Sequence, residues 1–305
     1  MTLALETRAL TKRYGRRTAL HGIDLAVENG TVFGVIGPNG AGKTTTMRLL
    51  LDIIRPTAGT ARVLGEDPRS GGAALRRRIG FLPGELRLEG RVTGRALLAH
   101  YARISGPVAP GAIDRLAQRL DLDLSRQVRK LSKGNKQKLG IVQAFMHEPA
   151  LLVLDEPTSG LDPLVQQEFL AMVREARDNG QTVFLSSHVL SEIQQAADTV
   201  AILRAGRIVT ISDVATLRAT ALRRVSVSLA DATAAALRAA LARDPHLAEL
   251  ELIEHESGLT VAGTVEGDID PFVKAIAGFR VTDLRVEEPD LEESVIGLYA
   301  REAGE

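Results

Sequence analysis

A glycine-rich segment, "GPNGAGKT", begins at Gly37 and has the spacing G-x-x-x-x-G-K-T. Because Gly37, Gly40 and Gly42 lack side chains, the backbone can approach an anion closely. Lys43 can reach the β- and γ-phosphates of a nucleotide, and the Thr44 hydroxyl can ligate Mg²⁺. The alternative interpretation is a glycine turn that joins a strand to a helix without a ligand. The lysine and threonine at this spacing favour a nucleoside triphosphate site.

Two adjacent carboxylates end the apolar run of "LLVLDEPTSGLD". Because side chains alternate along a strand, Asp155 and Glu156 should point in different directions and have different roles. Asp155 suits the Mg²⁺ shell, and Glu156 suits the group that activates water for phosphoanhydride hydrolysis. His188 follows the next strand, in "VFLSSH", at the sheet edge where a γ-phosphate contact is needed. Without the phosphate loop, a helix cap or solvated turn would explain the acidic pair.

The elements that must position these residues alternate between strand and helix patterns. Short apolar runs such as "TVFGVIG", "LLVLDE" and "TVFLSS" precede segments with helical spacing. This alternation predicts an α/β fold with a mostly parallel sheet covered by helices. The phosphate-loop motif between the first such strand and its helix makes this a fold of the P-loop NTPase type. Strand patterns stop between about residues 86 and 131, where we predict an inserted helical subdomain.

The patterns after residue 220 follow a different order: strand, helix, two strands, helix and strand. This is the order of a small α+β ferredoxin-like domain. We therefore predict a first domain over residues 1–220 and a C-terminal accessory domain over residues 221–305.

Composition limits the classes of partner. Lys plus Arg and Asp plus Glu both number 38, so no net charge draws the chain toward nucleic acid. Cysteine is absent, which excludes disulfides and thiolate metal sites. The N-terminus lacks the pattern of a signal peptide, and no apolar run approaches the roughly 18 residues of a membrane span. The sequence predicts a soluble chain.

A second candidate anion site lies at "LSKGN", at the start of a predicted helix. Ser132 and Gly134 would be presented there together with unpaired backbone N–H groups, which bind anions. The chain thus carries two phosphate-binding patterns, far apart in sequence.

The motifs "GPNGAGKT", "LSKGN", "LLVLDEP", "SGLD" and "SSH", in this order, resemble the ATP-binding cassette (ABC) ATPases of membrane transporters. The resemblance covers roughly residues 1–220 and implies hydrolysis of ATP with Mg²⁺. It also implies two copies arranged head to tail, each ATP lying between the phosphate loop of one copy and "LSKGN" of the other.

The resemblance assigns roles to individual residues. Ser132 and Gly134 would contact the γ-phosphate held by the partner copy, and Asp162 would belong to a loop that crosses the interface. His188 would be the switch histidine, and Tyr14, in "LTKRYG", would stack on adenine. The phosphate loop would bind the nucleotide through Gly37, Pro38, Asn39, Gly40, Ala41, Gly42, Lys43, Thr44 and Thr45.

Two segments depart from the family pattern. "LSKGN" has Lys133 and Asn135 where the commonest version has Gly and Gln. In "IGFLPGEL", Gly84 occupies the position of a Gln that usually links Mg²⁺, water and the membrane subunit. Glu85, the next residue, is the candidate to replace it as a metal ligand. The alternative is that another group takes over this coupling.

The resemblance also implies a partner, a separate integral membrane permease that would hold the chain at the cytoplasmic face of the cell membrane. The closing "PDLEESVIGLYARE" resembles the tails of exporter ATPases, including antibiotic and multidrug efflux systems. The alternative is an ABC-type ATPase that acts on ribosomes or DNA. Such relatives usually fuse two cassettes or insert long coiled coils, and this neutral single cassette has neither, so we expect no nucleic acid.

Overall fold

The computed structural model describes residues 2–219, 222–241, 247–255 and 258–287, and the closing segment "PDLEESVIGLYARE" lies outside these ranges. The chain divides into two compact units, Met1–Ser212 and Asp213–Glu305. The second unit thus begins several residues before the predicted boundary at 221. Within the described ranges, no helix is long and apolar enough to span a membrane.

The first unit contains two sheets. Three antiparallel strands form the smaller sheet: β1 (Leu3–Tyr14), β2 (Arg17–Glu28) and β4 (Ala58–Val63). The larger sheet consists of β3 (Val32–Ile36), β5 (Ile79–Leu82), β6 (Leu151–Asp155), β7 (Thr182–Ser187), β8 (Thr199–Arg204) and β9 (Arg207–Asp213). Its strand order is β5-β6-β7-β3-β8-β9, and the strands from β5 to β8 in this order pair in parallel.

Strands β3, β6 and β7 occupy the centre of the larger sheet because their residues are apolar or small and are buried throughout. Phe33 and Phe184 stack across β3 and β7 with ring centroids 5.8 Å apart. Burial of each such side chain stabilises the fold by about 1.5–3 kcal/mol. The carboxyl ends of these strands therefore form a rigid edge from which functional side chains can project.

Helices cover the sheet and connect its strands. Among the described residues of this unit, four helices connect strands outside the interval between β5 and β6: α1 (Lys43–Leu50), α2 (Pro68–Arg76), α6 (Pro163–Asp178) and α7 (Leu190–Ala196). Between β5 and β6 lie α3 (Gly94–Ala102), α4 (Ala112–Arg119) and α5 (Lys133–Phe145). Helices α3 and α4 fall in the interval 86–131, where the sequence predicts a helical insert.

Arg119, the last residue of α4, links this helical insert to α6. Its guanidinium donates hydrogen bonds to Glu175 at 2.6 and 2.8 Å and to Glu168 at 2.6 Å. The hydrogen bond from Arg119 lowers the pKa of the Glu175 carboxyl. Because these groups are partly exposed, the cluster orients α4 more than it stabilises the fold.

The second unit has its own core. Helix α8 (Val214–Ala219) precedes β10 (Leu222–Ala230), α9 (Ala234–Leu241), β11 (Leu247–His255), β12 (Gly258–Glu266), α10 (Asp270–Ile276) and β13 (Arg280–Glu287). The strands pair antiparallel in the order β11-β12-β10-β13. Apolar side chains of β10 and β12 pack with Leu237 of α9 and Phe272 of α10. From β10 onward the elements follow the predicted β-α-β-β-α-β order.

His147 is a buried titratable group just beyond α5, with only 7% of its surface exposed. Neither ring nitrogen has a hydrogen-bond partner among the described residues. Burial is the main influence on the pKa of His147: it disfavours the imidazolium and lowers the pKa. The nearby Ile79 backbone partly opposes this shift. The contribution of His147 to stability is therefore complete above the unfolded-state pKa and is lost as pH falls through the lower folded-state value.

We expect His147→Leu to weaken the loss of stability that acid causes. Between roughly pH 7.5 and pH 5.5, the urea midpoint should fall less for His147→Leu than for the wild type, because leucine has no proton to gain. His100→Leu, at an exposed position of α3, is the matched control and should keep the wild-type dependence. Equal pH dependence in all three proteins would contradict the assignment.

Candidate nucleotide site

The start of α1 is built to receive an anion. Gly42 has φ 115°, a left-handed conformation, and a Cβ at this position would lie 2.6 Å from the Leu20 side chain. Both features require glycine. No described side chain caps α1, so the N–H groups of its first turn face the loop. A phosphate can accept hydrogen bonds from these groups and interact favourably with the helix dipole.

A cavity of about 390 Å³ lies at this helix start. Every predicted phosphate-loop residue except Gly37 lines this cavity, and so do the predicted residues Tyr14 and Glu156. Its lining consists of Tyr14, Arg17, Ala19, Pro38, Asn39, Gly40, Ala41, Gly42, Lys43, Thr44, Thr45 and Glu156. Tyr14 is 47% exposed, and the Lys12 ammonium lies 5.0 Å from its ring centroid.

Lys43, Glu156 and His188 form a connected cluster. The buried Lys43 ammonium donates to the Gly37 carbonyl and lies 3.1 Å from Glu156 Oε1. The other carboxylate oxygen, Oε2, lies 2.7 Å from His188 Nδ1, and the His188 side chain is 56% exposed. This cluster places a carboxylate between a fixed cation and a ring that can exchange protons, an arrangement suited to orienting water beside a phosphate.

Asp155, the last residue of β6, makes contacts different from those of Glu156. Its Oδ2 accepts a hydrogen bond from the Thr44 hydroxyl at 2.7 Å, and its Oδ1 accepts one from Ser186 at 2.6 Å. Thr44 and Asp155 thus offer two oxygen donors of the kind that Mg²⁺ prefers. Among the described residues, no group of three or more His, Asp or Glu could hold a metal alone. The donor chemistry of the pair therefore fits Mg²⁺, and an ion held there would need further ligands beyond these two residues.

The backbone of Glu156 is held in an uncommon conformation, with φ 47°. A left-handed backbone at a residue other than glycine costs about 1–3 kcal/mol and persists only where neighbours restrain it. The Ser186 hydroxyl accepts a hydrogen bond from the Glu156 N–H at 3.1 Å. The Gln137 amide donates to the carbonyl oxygens of Glu156 at 3.3 Å and of Pro157 at 2.9 Å.

Glu192 of α7 connects the segment after Glu156 with the segment that carries His188. Its Oε2 accepts hydrogen bonds from the Thr158 hydroxyl at 2.7 Å and from the Ser187 hydroxyl at 2.9 Å. Because both hydroxyl groups belong to buried residues, these bonds fix the two chain segments side by side. This arrangement helps to keep His188 within reach of Glu156.

The "LSKGN" segment starts α5, as predicted. The Ser132 hydroxyl oxygen caps the helix by accepting a hydrogen bond from the Asn135 N–H at 3.2 Å. The hydroxyl proton does not take part in this bond. A Cβ at Gly134 would lie 2.7 Å from the Gly160 carbonyl oxygen, so only glycine allows this close approach. Lys133 extends toward Ser159, 3.5 Å away. The helix start therefore packs on the loop that follows Glu156.

Asp162 caps α6 by accepting a hydrogen bond from the Val165 N–H at 3.0 Å. The cavity at the phosphate loop is lined by none of the predicted residues Ser132, Gly134 and Asp162. Within one chain, the structure does not bring the second anion pattern into the first site.

The contacts of Glu85 do not support its predicted role as a metal ligand. Its carboxylate pairs with Arg87 at 3.1 Å, and its side chain is 78% exposed. Instead, Gly84 lies against Asp155: a Cβ at Gly84 would be 3.1 Å from Asp155 Oδ2. Because the chain turns after Gly84, the residue one position later faces solvent. We therefore leave Glu85 out of the proposed Mg²⁺ ligands.

Sequence reasoning missed Gln137, Ser186, Glu192 and Arg17. A signal existed for Ser186, because it is the register partner of Asp155 on the parallel strand β7. Arg17 follows the predicted adenine-stacking residue closely and lines the cavity. Gln137 and Glu192 contact a loop that is distant in sequence, which no local spacing indicates.

A phosphate loop opening a helix, with a Thr–Asp pair and a Lys–Glu–His cluster at the same edge of a parallel sheet, defines a P-loop nucleotide hydrolase. The sequence model of the family described as "ABC transporter" matches residues 20–159.

Similar proteins agree with this class. The bacitracin transport ATP-binding protein BcrA of Enterococcus faecalis is 38% identical over 214 residues, which cover 68% of this chain and 69% of BcrA. The daunorubicin resistance ATP-binding protein DrrA3 of Streptomyces coeruleorubidus is 40% identical over 211 residues, or 68% and 67% of the two chains. A solved structure of the ATP binding subunit of an ABC transporter has TM-score 0.66 and 31% identity, covering 71% of this chain and 92% of the other.

The chain belongs to the ABC transporter family, as an ATP-binding and ATP-hydrolysing subunit. These comparisons confirm the predicted family, the fold of the cassette and the ATPase activity.

Proposed function

We propose that the chain powers an exporter of antibiotic-type compounds and works with a separate permease at the cytoplasmic face of the cell membrane. The observation that carries this proposal is the cluster of Lys43, Glu156 and His188 beside the phosphate-loop cavity. The direction and the class of compound are supported by relatives named for bacitracin transport and daunorubicin resistance.

In the proposed reaction, water attacks the γ-phosphorus of ATP and the bond to the β,γ-bridging oxygen breaks, giving ADP and phosphate. Glu156 orients the water and accepts its proton, while Lys43 stabilises negative charge on the phosphates. His188, whose Nδ1 lies 2.7 Å from Glu156 Oε2, is placed to contact the γ-phosphate. A Mg²⁺ ion held by Thr44 and Asp155 would neutralise phosphate charge.

We further propose that two copies act head to tail and share their sites. Ser132 and Gly134 of one copy then complete the nucleotide site of the other, with Asp162 at the interface and Tyr14 stacked on adenine. The position of Ser132 and Gly134 outside the cavity of their own chain supports this arrangement.

Reconstitution tests the proposed export. Inside-out vesicles would contain this chain and the membrane protein encoded beside its gene, and the probes would be daunorubicin and bacitracin. We expect ATP-dependent uptake of at least one probe with the wild type and none with Lys43→Ala, because that variant loses the phosphate contact. Copurification with ribosomes or DNA, together with no ATP-dependent uptake, would contradict the export function.

A further inference from the structure

Gln137 joins the "LSKGN" helix to the residue proposed to activate water. It lies on α5, just beyond the first turn that begins after Ser132, and only 4% of its surface is exposed. Its side-chain amide donates to the carbonyl oxygens of Glu156, at 3.3 Å, and Pro157, at 2.9 Å. These contacts bridge 19 and 20 residues of sequence and connect two different functional segments.

The backbone of Glu156 needs such a restraint. Its left-handed φ of 47° is one that most residues avoid, and the Ser186 hydroxyl holds only its N–H side. On the carbonyl side, the Glu156 oxygen accepts hydrogen bonds from the Ser159 N–H at 3.2 Å and from Gln137 at 3.3 Å. Gln137 is the donor that comes from α5, and its second bond, to the Pro157 carbonyl, extends the restraint to the next peptide group.

Helix α5 touches the same loop farther along. Gly134 approaches the Gly160 carbonyl, and Lys133 extends toward Ser159. Any displacement of the start of α5 therefore acts on the loop at residues 156–157 and again at residues 159–160.

We propose that Gln137 is a positioning residue for Glu156, through which α5 transmits nucleotide contact at Ser132 and Gly134 to the water-activating carboxylate of the same chain. This inference rests on the proposed shared sites. Because the nucleotide at Ser132 and Gly134 belongs to the partner copy, ATP bound in one site would align Glu156 in the other. Gln137 itself touches no reacting atom.

The test replaces Gln137 by Met, which has a similar size and no hydrogen-bond donor. We expect kcat for ATP hydrolysis to fall at least about 10-fold, because small displacements of a catalytic group are costly. The Kd for ATP should stay within about twofold, and the Hill coefficient should fall toward one, because the two sites lose their link. The matched control is Gln143→Met, a half-buried glutamine of the same helix, which should behave as the wild type.

A double-mutant cycle with Glu156→Gln separates positioning from general structural damage. If Gln137 acts through Glu156, Gln137→Met should lower single-turnover hydrolysis less than about twofold further in the Glu156→Gln background. The proposal would be overturned if the two substitutions lowered hydrolysis by independent factors that multiply in the double variant, or if ATP binding were lost. Wild-type kcat with a wild-type Hill coefficient would do the same.

Gln137→Glu, of equal size, supplies a rescue experiment and replaces Gln137→Met should that variant not fold. An ionised carboxylate cannot donate to the two carbonyl oxygens, whereas a protonated one can donate to one of them. The kcat ratio of Gln137→Glu to wild type should therefore rise as pH is lowered, and a constant ratio would overturn the proposal. Failure of drug uptake in vesicles would concern export alone, since these measurements use only ATP hydrolysis and binding.

Discussion

Replacing Glu156 by Gln will leave ATP binding intact and lower ATP hydrolysis by roughly a hundredfold or more. The amide keeps the size of the side chain but cannot accept a proton from water. It also removes the negative charge that lies 3.1 Å from the Lys43 ammonium. Lys43 then loses a competitor for its charge, so nucleotide affinity should not weaken. Steady-state turnover and equilibrium binding of ATP measure the two effects.

The same variant should accumulate as a pair of copies held together by unhydrolysed ATP, which size-exclusion chromatography with ATP can detect. Glu85→Ala is the control, because this exposed carboxylate pairs with Arg87. It should keep wild-type turnover over a range of Mg²⁺ concentrations. Wild-type turnover in Glu156→Gln would remove Glu156 from the mechanism, and a raised Mg²⁺ requirement in Glu85→Ala would restore Glu85 as a metal ligand.

The parts of the site that the sequence predicts are those whose geometry is local. The spacing of the phosphate loop determines both the glycine turn and the start of α1. Strand alternation predicts that Asp155 and Glu156 point in different directions. In the structure they contact Thr44 and Lys43 respectively, but β6 ends at Asp155, and the left-handed φ of Glu156 rather than strand alternation sets its direction. The order of strands and helices along the chain after residue 220 can likewise be predicted, because strands and helices differ in the spacing of their apolar residues.

The parts that the sequence does not predict depend on contacts between distant segments. By its sequence, Gln137 is one more polar residue of a helix. Its contact with Glu156 exists only because α5 packs on the loop that follows β6. The Glu85 prediction assumed that a neighbouring residue can replace a missing side chain. In the structure, Gly84 faces Asp155 while Glu85 pairs with Arg87, because consecutive residues of the loop point in different directions.

A mixture of two inactive variants tests whether the two anion patterns complete each other across a pair of copies. Lys43→Ala removes the ammonium that binds phosphate, and Ser132→Arg places a bulky side chain at the start of α5. The Ser132→Arg substitution also removes the helix cap that Ser132 forms with the Asn135 N–H, a loss of about 1 kcal/mol. Ser132→Ala, which loses the cap without adding bulk, is therefore the control for stability.

In a head-to-tail pair, a mixed dimer carries both lesions in one site and neither lesion in the other. Random reassortment makes half of the dimers mixed, so roughly a quarter of wild-type ATPase activity should return if the sites act independently. If both sites of a dimer must hydrolyse ATP together, less of the ATPase activity would return. The decisive comparison is activity above the sum of the two variants, measured after crosslinking confirms that mixed dimers have formed.

No recovery in confirmed mixed dimers would leave two explanations, and pairing each variant with wild type distinguishes them. Strict coupling predicts that one damaged copy silences its wild-type partner, because both sites of the pair lose activity. A Ser132 that served the nucleotide of its own chain would instead leave the wild-type copy working at half of the activity of a wild-type pair. That second result would contradict the shared site, and with it the route through Gln137 by which one nucleotide would align the Glu156 of the other site.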